Sequence, residues 1–185
     1  ALALTTLVQL VREVGNRICV ETEPSLVVSI QTCLALLVDR QADINASLGM
    51  WHTTRELVTH VFGRQALAMV WDFAESNPLS GASGNLDGAL DWILRVCLSN
   101  ASLVHDGHVQ QASATSHPLP DGSAAAFVTD PPYYDAVPYS YLSDFFYVWL
   151  RRSLAREQAA LLSASHVPKD EEIVVDRPHR LSPSA

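Results

Sequence analysis

The chain has 185 residues, 48% of them apolar and 17% charged, with a mean hydropathy of +0.11. That composition excludes wholesale disorder and fits one domain of ordinary size, or one and a half small ones. Twenty acids against twelve bases give a net charge of −8, which excludes a generally basic nucleic-acid-binding surface but not a local patch.

The longest apolar stretch, from Leu26 to Val38, is interrupted by Ser29, Gln31 and Thr32. It falls short of the ~20 residues a membrane span needs, so a soluble chain with no membrane partner is expected. Cys19, Cys33 and Cys97 are odd in number, far apart and set among apolar residues. They read as buried free thiols of a cytoplasmic protein, outside any disulfide framework or zinc site. The sequence opens without Met, already inside a helical pattern and with no basic leader, as part of a longer chain would.

The first hundred residues read as helices. Leu4, Leu7, Val8, Val11 and Val14 fall on one stripe, with Gly15-Asn16 as its stop. Thr22 is a candidate cap and Pro24 a first helical residue. Leu26 or Val27, Ile30, Leu34, Leu37 and Val38 then form the next apolar face. A further helix is expected from Arg64 to Glu75, with Leu67, Val70, Trp71 and Ala74 on one side and Asn77-Pro78 ending it. Gly81-Ala-Ser-Gly84 is a loop, and Leu86, Leu90, Ile93, Leu94 and Cys97 mark another helix.

Beyond about Asn100 the period changes. The stretch from Gly107 to Ala114 is β-like, and Pro120-Asp121-Gly122-Ser123 has the residues of a tight turn. Ala124-Ala-Ala-Phe-Val-Thr129 is an apolar run of the length and type of a buried parallel strand. Asp130-Pro131-Pro132-Tyr133 breaks it. Leu142, Phe145, Phe146, Trp149, Leu150 and Leu154 come next as a helical stripe, with Ser140 a candidate cap. A short strand is expected from Glu171 to Val175. The expected fold is α/β: residues 1–100 a helical subdomain, and residues 101–185 part of a Rossmann-like fold carrying the strand–loop–helix.

The chemistry gathers at Asp130-Pro131-Pro132-Tyr133. At the carboxyl end of a parallel strand, where α/β sheets bind ligands, these residue types suit methylation of an exocyclic base amine. The Asp130 carboxylate and the Pro131 carbonyl each accept one amine N–H, exposing the lone pair and stabilising developing positive charge. Two prolines hold the carbonyl rigidly and offer no competing donor. Tyr133 is placed to stack on a base flipped out of its duplex. Four residues alone are also what an ordinary strand-ending turn offers; the strand before and the helix after give them weight.

The longer stretch Asp130-Pro-Pro-Tyr-Tyr-Asp-Ala-Val-Pro-Tyr-Ser-Tyr-Leu-Ser-Asp-Phe-Phe-Tyr-Val-Trp-Leu-Arg-Arg152 resembles a family of large predicted adenine-specific DNA methylases. Members of that family have an uncharacterised N-terminal domain and, often, a zinc ribbon. Asp39-Arg-Gln-Ala-Asp-Ile-Asn-Ala-Ser-Leu-Gly-Met-Trp51, Arg64-Gln-Ala-Leu-Ala-Met-Val-Trp-Asp-Phe-Ala-Glu-Ser-Asn-Pro78, and Pro168-Lys169 with Glu172-Ile-Val are also similar to it. The resemblance implies an S-adenosylmethionine-dependent enzyme with DNA as its partner. It makes Asp130, Pro131, Pro132 and Tyr133 catalytic, and Tyr134, Asp135 and Tyr139 substrate-binding.

This chain departs from the family pattern in carrying Ala136 where the family has Asn, and in lacking both the zinc ribbon and the glycine-rich cofactor loop. The reading is a target-amine half whose cofactor half lies in the same polypeptide or a partner subunit, inactive alone. The rival is a non-catalytic helical interaction or DNA-specificity module with an inactive loop. An RNA or protein amine as the target also stays open.

Among the remaining residues, Phe145, Phe146 and Trp149 read as core. Tyr139 and Tyr141 lie nearer the loop, and Arg151-Arg152 complement the end of the helix dipole. Arg64 and Asp72 read as structural. His105 and His108 lack a third ligand, so no metal is expected.

Overall fold

The computed structural model describes residues 2–63, 66, 69–103, 105, 107–116, 118–134, 136–154, 158–170 and 172–174. Its elements, in order, are helices α1 (Leu2–Ile18) and α2 (Pro24–Ile44), a hairpin of β1 (Trp51–His52) and β2 (Leu57–Val58), and helices α3 (Leu86–Asn100) and α4 (Tyr139–Leu154). Helix α2 is the hub, packing against α1, α3 and α4, and α4 also reaches α1. Val8, Val11 and Val38 are buried at the α1–α2 seam, and Leu7, Leu34 and Trp149 close over them. Phe62, after the hairpin, lies 5.4 Å from Phe145 and 5.3 Å from Phe146, ring centre to ring centre. The aromatic stripe of α4 therefore faces inward, half-buried against the core, on the side its spacing predicts.

Helix α1 runs through Gly15-Asn16 to Ile18. Glycine here serves close approach: a Cβ on Gly15 would lie 1.8 Å from the Gln31 Nε2 of α2. Pro24 opens α2 as expected, but the cap is Glu23, not Thr22; its carboxylate accepts the Leu26 N–H at 3.3 Å. Ser140 lies inside α4, one residue past its start.

The α/β, Rossmann-like expectation fails. The described residues form four helices and one two-stranded antiparallel sheet, pairing Trp51 with Val58 and His52 with Leu57. Residues 124–129 are not a strand, and Phe127 and Val128 are 72% and 92% exposed. A buried parallel strand needs strands at its edges and helices on both faces, and among the described residues no second parallel strand exists to pair with it. The β-like stretch 107–114 and residues 172–174 are likewise irregular; Glu171 and Val175 lie outside the described residues.

The helix expected over 64–75 is also absent from its described part. Residues 69–75 are irregular, with Met69 76% and Trp71 91% exposed. A short amphipathic segment that buries no face lacks the packing that holds most helices together. Arg64, Gln65, Leu67 and Ala68 lie outside the described residues.

The loop at 81–84 forms as read and leads into α3. Gln41 is fully buried; its amide donates to the carbonyls of Gly84 at 3.1 Å and Asn85 at 3.3 Å. Asn85 caps α3, its side-chain oxygen accepting the Gly88 N–H at 2.8 Å. Gly84 has φ +86°, and a Cβ there would lie 3.0 Å from Ile44 Cγ2. The turn at 120–123 also forms, with Gly122 at φ +70° and the Ser123 N–H donating to the Pro120 carbonyl at 3.2 Å. Gly84→Ala is expected to lower stability by about 1–2 kcal/mol, the cost of a Cβ in the left-handed region. A lower urea midpoint at unchanged slope checks it.

Candidate functional site

The motif lies in the irregular segment before α4. Asp130, Pro131, Tyr133 and Tyr134 are exposed, the two tyrosines at 61% and 69%. Asp135 lies outside the described residues. Pro132 and Tyr139 meet at a cleft of about 670 Å³, lined also by Ser140, Ser143, Val167 and Glu172. The structure thus brings together Pro132 and Tyr139 at one cavity. Asp130, Pro131 and Tyr133 are not part of that lining. Their exposure goes with the missing strand: residues 124–129 are exposed, residues 130–134 after them are exposed too, and the chain returns to the core at Val137, 3% exposed, just before α4.

One wall of the cleft is a strap along α4 formed by residues 164–170, with Glu172 beyond them. Glu172 accepts the Ser140 N–H at 2.8 Å and the Ser140 hydroxyl at 2.5 Å, closing the N-terminus of α4 with a carboxylate from far along the chain. Asp144 accepts the Val167 N–H at 2.8 Å and the Lys169 ammonium at 2.6 Å. The Tyr147 hydroxyl donates to the Ala164 carbonyl at 2.9 Å. Burial alone would raise the Asp144 pKa. The hydrogen bonds from Lys169 and Val167 and the nearby positive charge outweigh it, so the carboxyl sits below its usual range. Lys169 also lies 5.0 Å over the Tyr141 ring, so that tyrosine supports the strap.

The described loop at 81–84 is taken up by packing and does not resemble a glycine-rich S-adenosylmethionine loop. In the loop at 81–84 the Gly84 carbonyl serves Gln41 and the backbone is packed against Ile44. The N–H of Gly88 in the first turn of α3 is taken by Asn85. Among the described residues no group of three or more His, Cys, Asp or Glu side chains gathers to hold a metal, and His105 and His108 are exposed. Among the same residues, no helix is long and apolar enough to cross a membrane.

Three carboxylates on α2 and in the strap escape a reading by apolar period. Asp43 accepts the Val61 N–H at 2.9 Å and pairs with His60, holding the hairpin exit on α2. Glu172 lies in a stretch singled out by resemblance, but nothing in its spacing announces a cap for α4. Asp39 is 9% exposed, and its Oδ1 has no hydrogen-bond partner among the described residues. Burial pushes its pKa up from 3.8 to about 7. Asp39 opens a stretch singled out by resemblance, and its position carries a further signal: residues 35, 38, 39 and 42 form one stripe, so an acid at 39 sits within the apolar face.

No protein-family model matches the chain, and no curated protein or solved structure matches it.

The Asp39 shift has a definite sign. Below pH 3.8 the carboxyl is protonated in both folded and unfolded chains. Between pH 4 and 7 the unfolded chain ionises it while the folded one keeps the proton, so stability falls as pH rises and levels off above 7. At roughly 1.4 kcal/mol per unit, the full loss is on the order of 4 kcal/mol. Asp39→Asn is expected to flatten urea-measured stability between pH 4 and 7 and to be the more stable protein at pH 8.

Proposed function

We propose that this chain is the target-amine half of an S-adenosylmethionine-dependent DNA amino-methyltransferase, acting on the exocyclic amine of adenine. The observation that carries the reading is the stretch over residues 130–152, in which Asp-Pro-Pro-Tyr runs directly into a long aromatic helix. In this role the Asp130 carboxylate and the Pro131 carbonyl accept the two amine hydrogens. Pro132 fixes the backbone between them and the cleft wall. Tyr133 stacks on the flipped base, with Tyr134, Asp135 and Tyr139 contacting the nucleotide around it. The exposure of Asp130, Pro131 and Tyr133 supports this, because a base extruded from a duplex must reach them from outside. The cofactor is held by residues elsewhere, in the same polypeptide or a partner subunit, and DNA affinity comes from a local patch or from that other part.

A helical interaction or specificity module with an inactive loop is the second reading. The outer face of α3 favours it: Trp92, Val96 and Leu98 are 60%, 58% and 72% exposed.

In the assembly that supplies the cofactor, Asp130→Ala is expected to lower methyl transfer to adenine in duplex DNA by about 100-fold or more. Tyr133→Ala is expected to weaken transition-state binding by about 1–3 kcal/mol, the worth of one stacked base. A methylation rate that Asp130→Ala leaves unchanged would overturn the enzyme reading. DNA binding that persists without cofactor and ignores the same substitution would favour the module.

A further inference from the structure

The cysteines are neither uniformly buried nor equivalent, which corrects the expectation from sequence. Cys19 and Cys97 are exposed and Cys33 is half-buried. Cys33 lies on α2 and Cys97 in the last turn of α3. The packing of those helices sets both thiols in the wall of one groove of about 510 Å³, with Leu36, Arg40, Trp92 and Val96 around them. Cys19 lies at the far end of α1, where its thiol donates to the Asn16 carbonyl at 3.0 Å, and it is not part of that groove. Burial, and after it the neighbouring Cys97 thiol, raises the pKa of Cys33.

We propose that Cys33 and Cys97 form a thiol–disulfide exchange site whose substrate is a low-molecular-weight disulfide of the oxidised-glutathione class, and whose product is a covalent bridge between α2 and α3. The exposed Cys97 gives its proton to solvent, and its thiolate attacks one sulfur of the incoming disulfide. That S–S bond breaks, and the first small thiolate leaves and is protonated. Cys33 then gives up its proton and attacks the Cys97 sulfur of the mixed disulfide. The Cys33–Cys97 bond forms, the mixed disulfide breaks, and the second small thiol departs. Two electrons pass from the cysteine pair to the small disulfide, which is reduced to two thiols.

The groove suits such a reagent. Arg40 has no ion-pair partner among the described residues, so its guanidinium is free to meet the carboxylates of a peptide disulfide. Trp92 and Val96 offer apolar surface beside the sulfurs. Cys19 lies outside the groove that holds the other two thiols, so its reaction is expected to stop at the mixed disulfide.

The test uses the folded chain carrying Cys19→Ser, incubated with excess oxidised glutathione and read by intact mass and peptide mapping. The expected product is lighter by two hydrogens, carries no glutathione, resists alkylation and yields a Cys33–Cys97 peptide pair. Closing a loop of about 65 residues should raise Tm by about 10 °C. The same chain with Cys33→Ser added should stop with one glutathione on Cys97, and with Arg40→Gln should react more slowly. Glutathione retained on either cysteine of the Cys19→Ser chain, two thiols that stay free in a sample shown folded by circular dichroism, or a bridge formed between two chains would each overturn the proposal. The mass of the Cys19→Ser chain decides the matter even where a second substitution prevents folding.

Discussion

The interaction on which the rest depends is the closure of Trp149 over the valine seam between the first two helices. Val8 and Val11 face Val38 across that seam, and alone they would leave one side open to water. Trp149, from a helix more than a hundred residues along the chain, covers it. Burying each such side chain contributes about 1.5–3 kcal/mol, so the cluster is a large share of what a domain of this size can hold in reserve. Because Trp149 is fixed there, Phe145 and Phe146 are fixed one turn earlier against Phe62, and the start of α4 is fixed beyond them. The Asp-Pro-Pro-Tyr loop then takes its place at that start. The motif's position is a consequence of helix packing, not of a sheet.

Polar groups complete what the apolar seam begins. Gln41 ties α2 to the entrance of α3 through two carbonyls, and Asn85 caps α3 itself. Glu172 and Asp144 hold the strap on α4, and Asp43 holds the hairpin exit on α2. Each uses a carboxylate or an amide to satisfy backbone or side-chain donors that packing would otherwise leave bare. Among the described residues two buried polar atoms are left without a partner, the Ser153 hydroxyl in α4 and one oxygen of Asp39, a carboxyl in the helical face. The raised pKa of Asp39 is what ties the stability of this helix face to pH between 4 and 7.

Wherever apolar side chains recur at helical spacing and find a partner, the sequence is legible. Helices α1, α2, α3 and α4 all track their stripes, and Pro24 and the turn at Gly122 behave as their chemistry dictates. The misreadings share one cause. Residues 124–129 and 69–75 have the pattern of a strand and a helix, but pattern is only a capacity to bury a face, and nothing in the described structure covers either one. Gly15 misleads in the opposite direction: it looks like a stop and is a point of close contact with Gln31. The hairpin at 51–58 carries no Asn-Gly or Asp-Gly at its turn, so it has no signature in the sequence. At the candidate site, Pro132 and Tyr139, both assigned to the site by resemblance, line one cleft. Glu172 could not be placed there from spacing, because a cap reaching back from 32 positions along the chain leaves no periodic trace.

The proposed function rests on a division of labour: this chain presents acceptors and an aromatic ring to a base amine, and holds no cofactor itself. Calorimetric titration of the folded 185-residue chain with S-adenosylmethionine, with S-adenosylhomocysteine alongside, tests that division most directly. No binding heat is predicted from a sample whose helical circular dichroism shows it folded. Saturable binding of either compound in the micromolar range would contradict the division, and would mean that these helices form a cofactor site of their own.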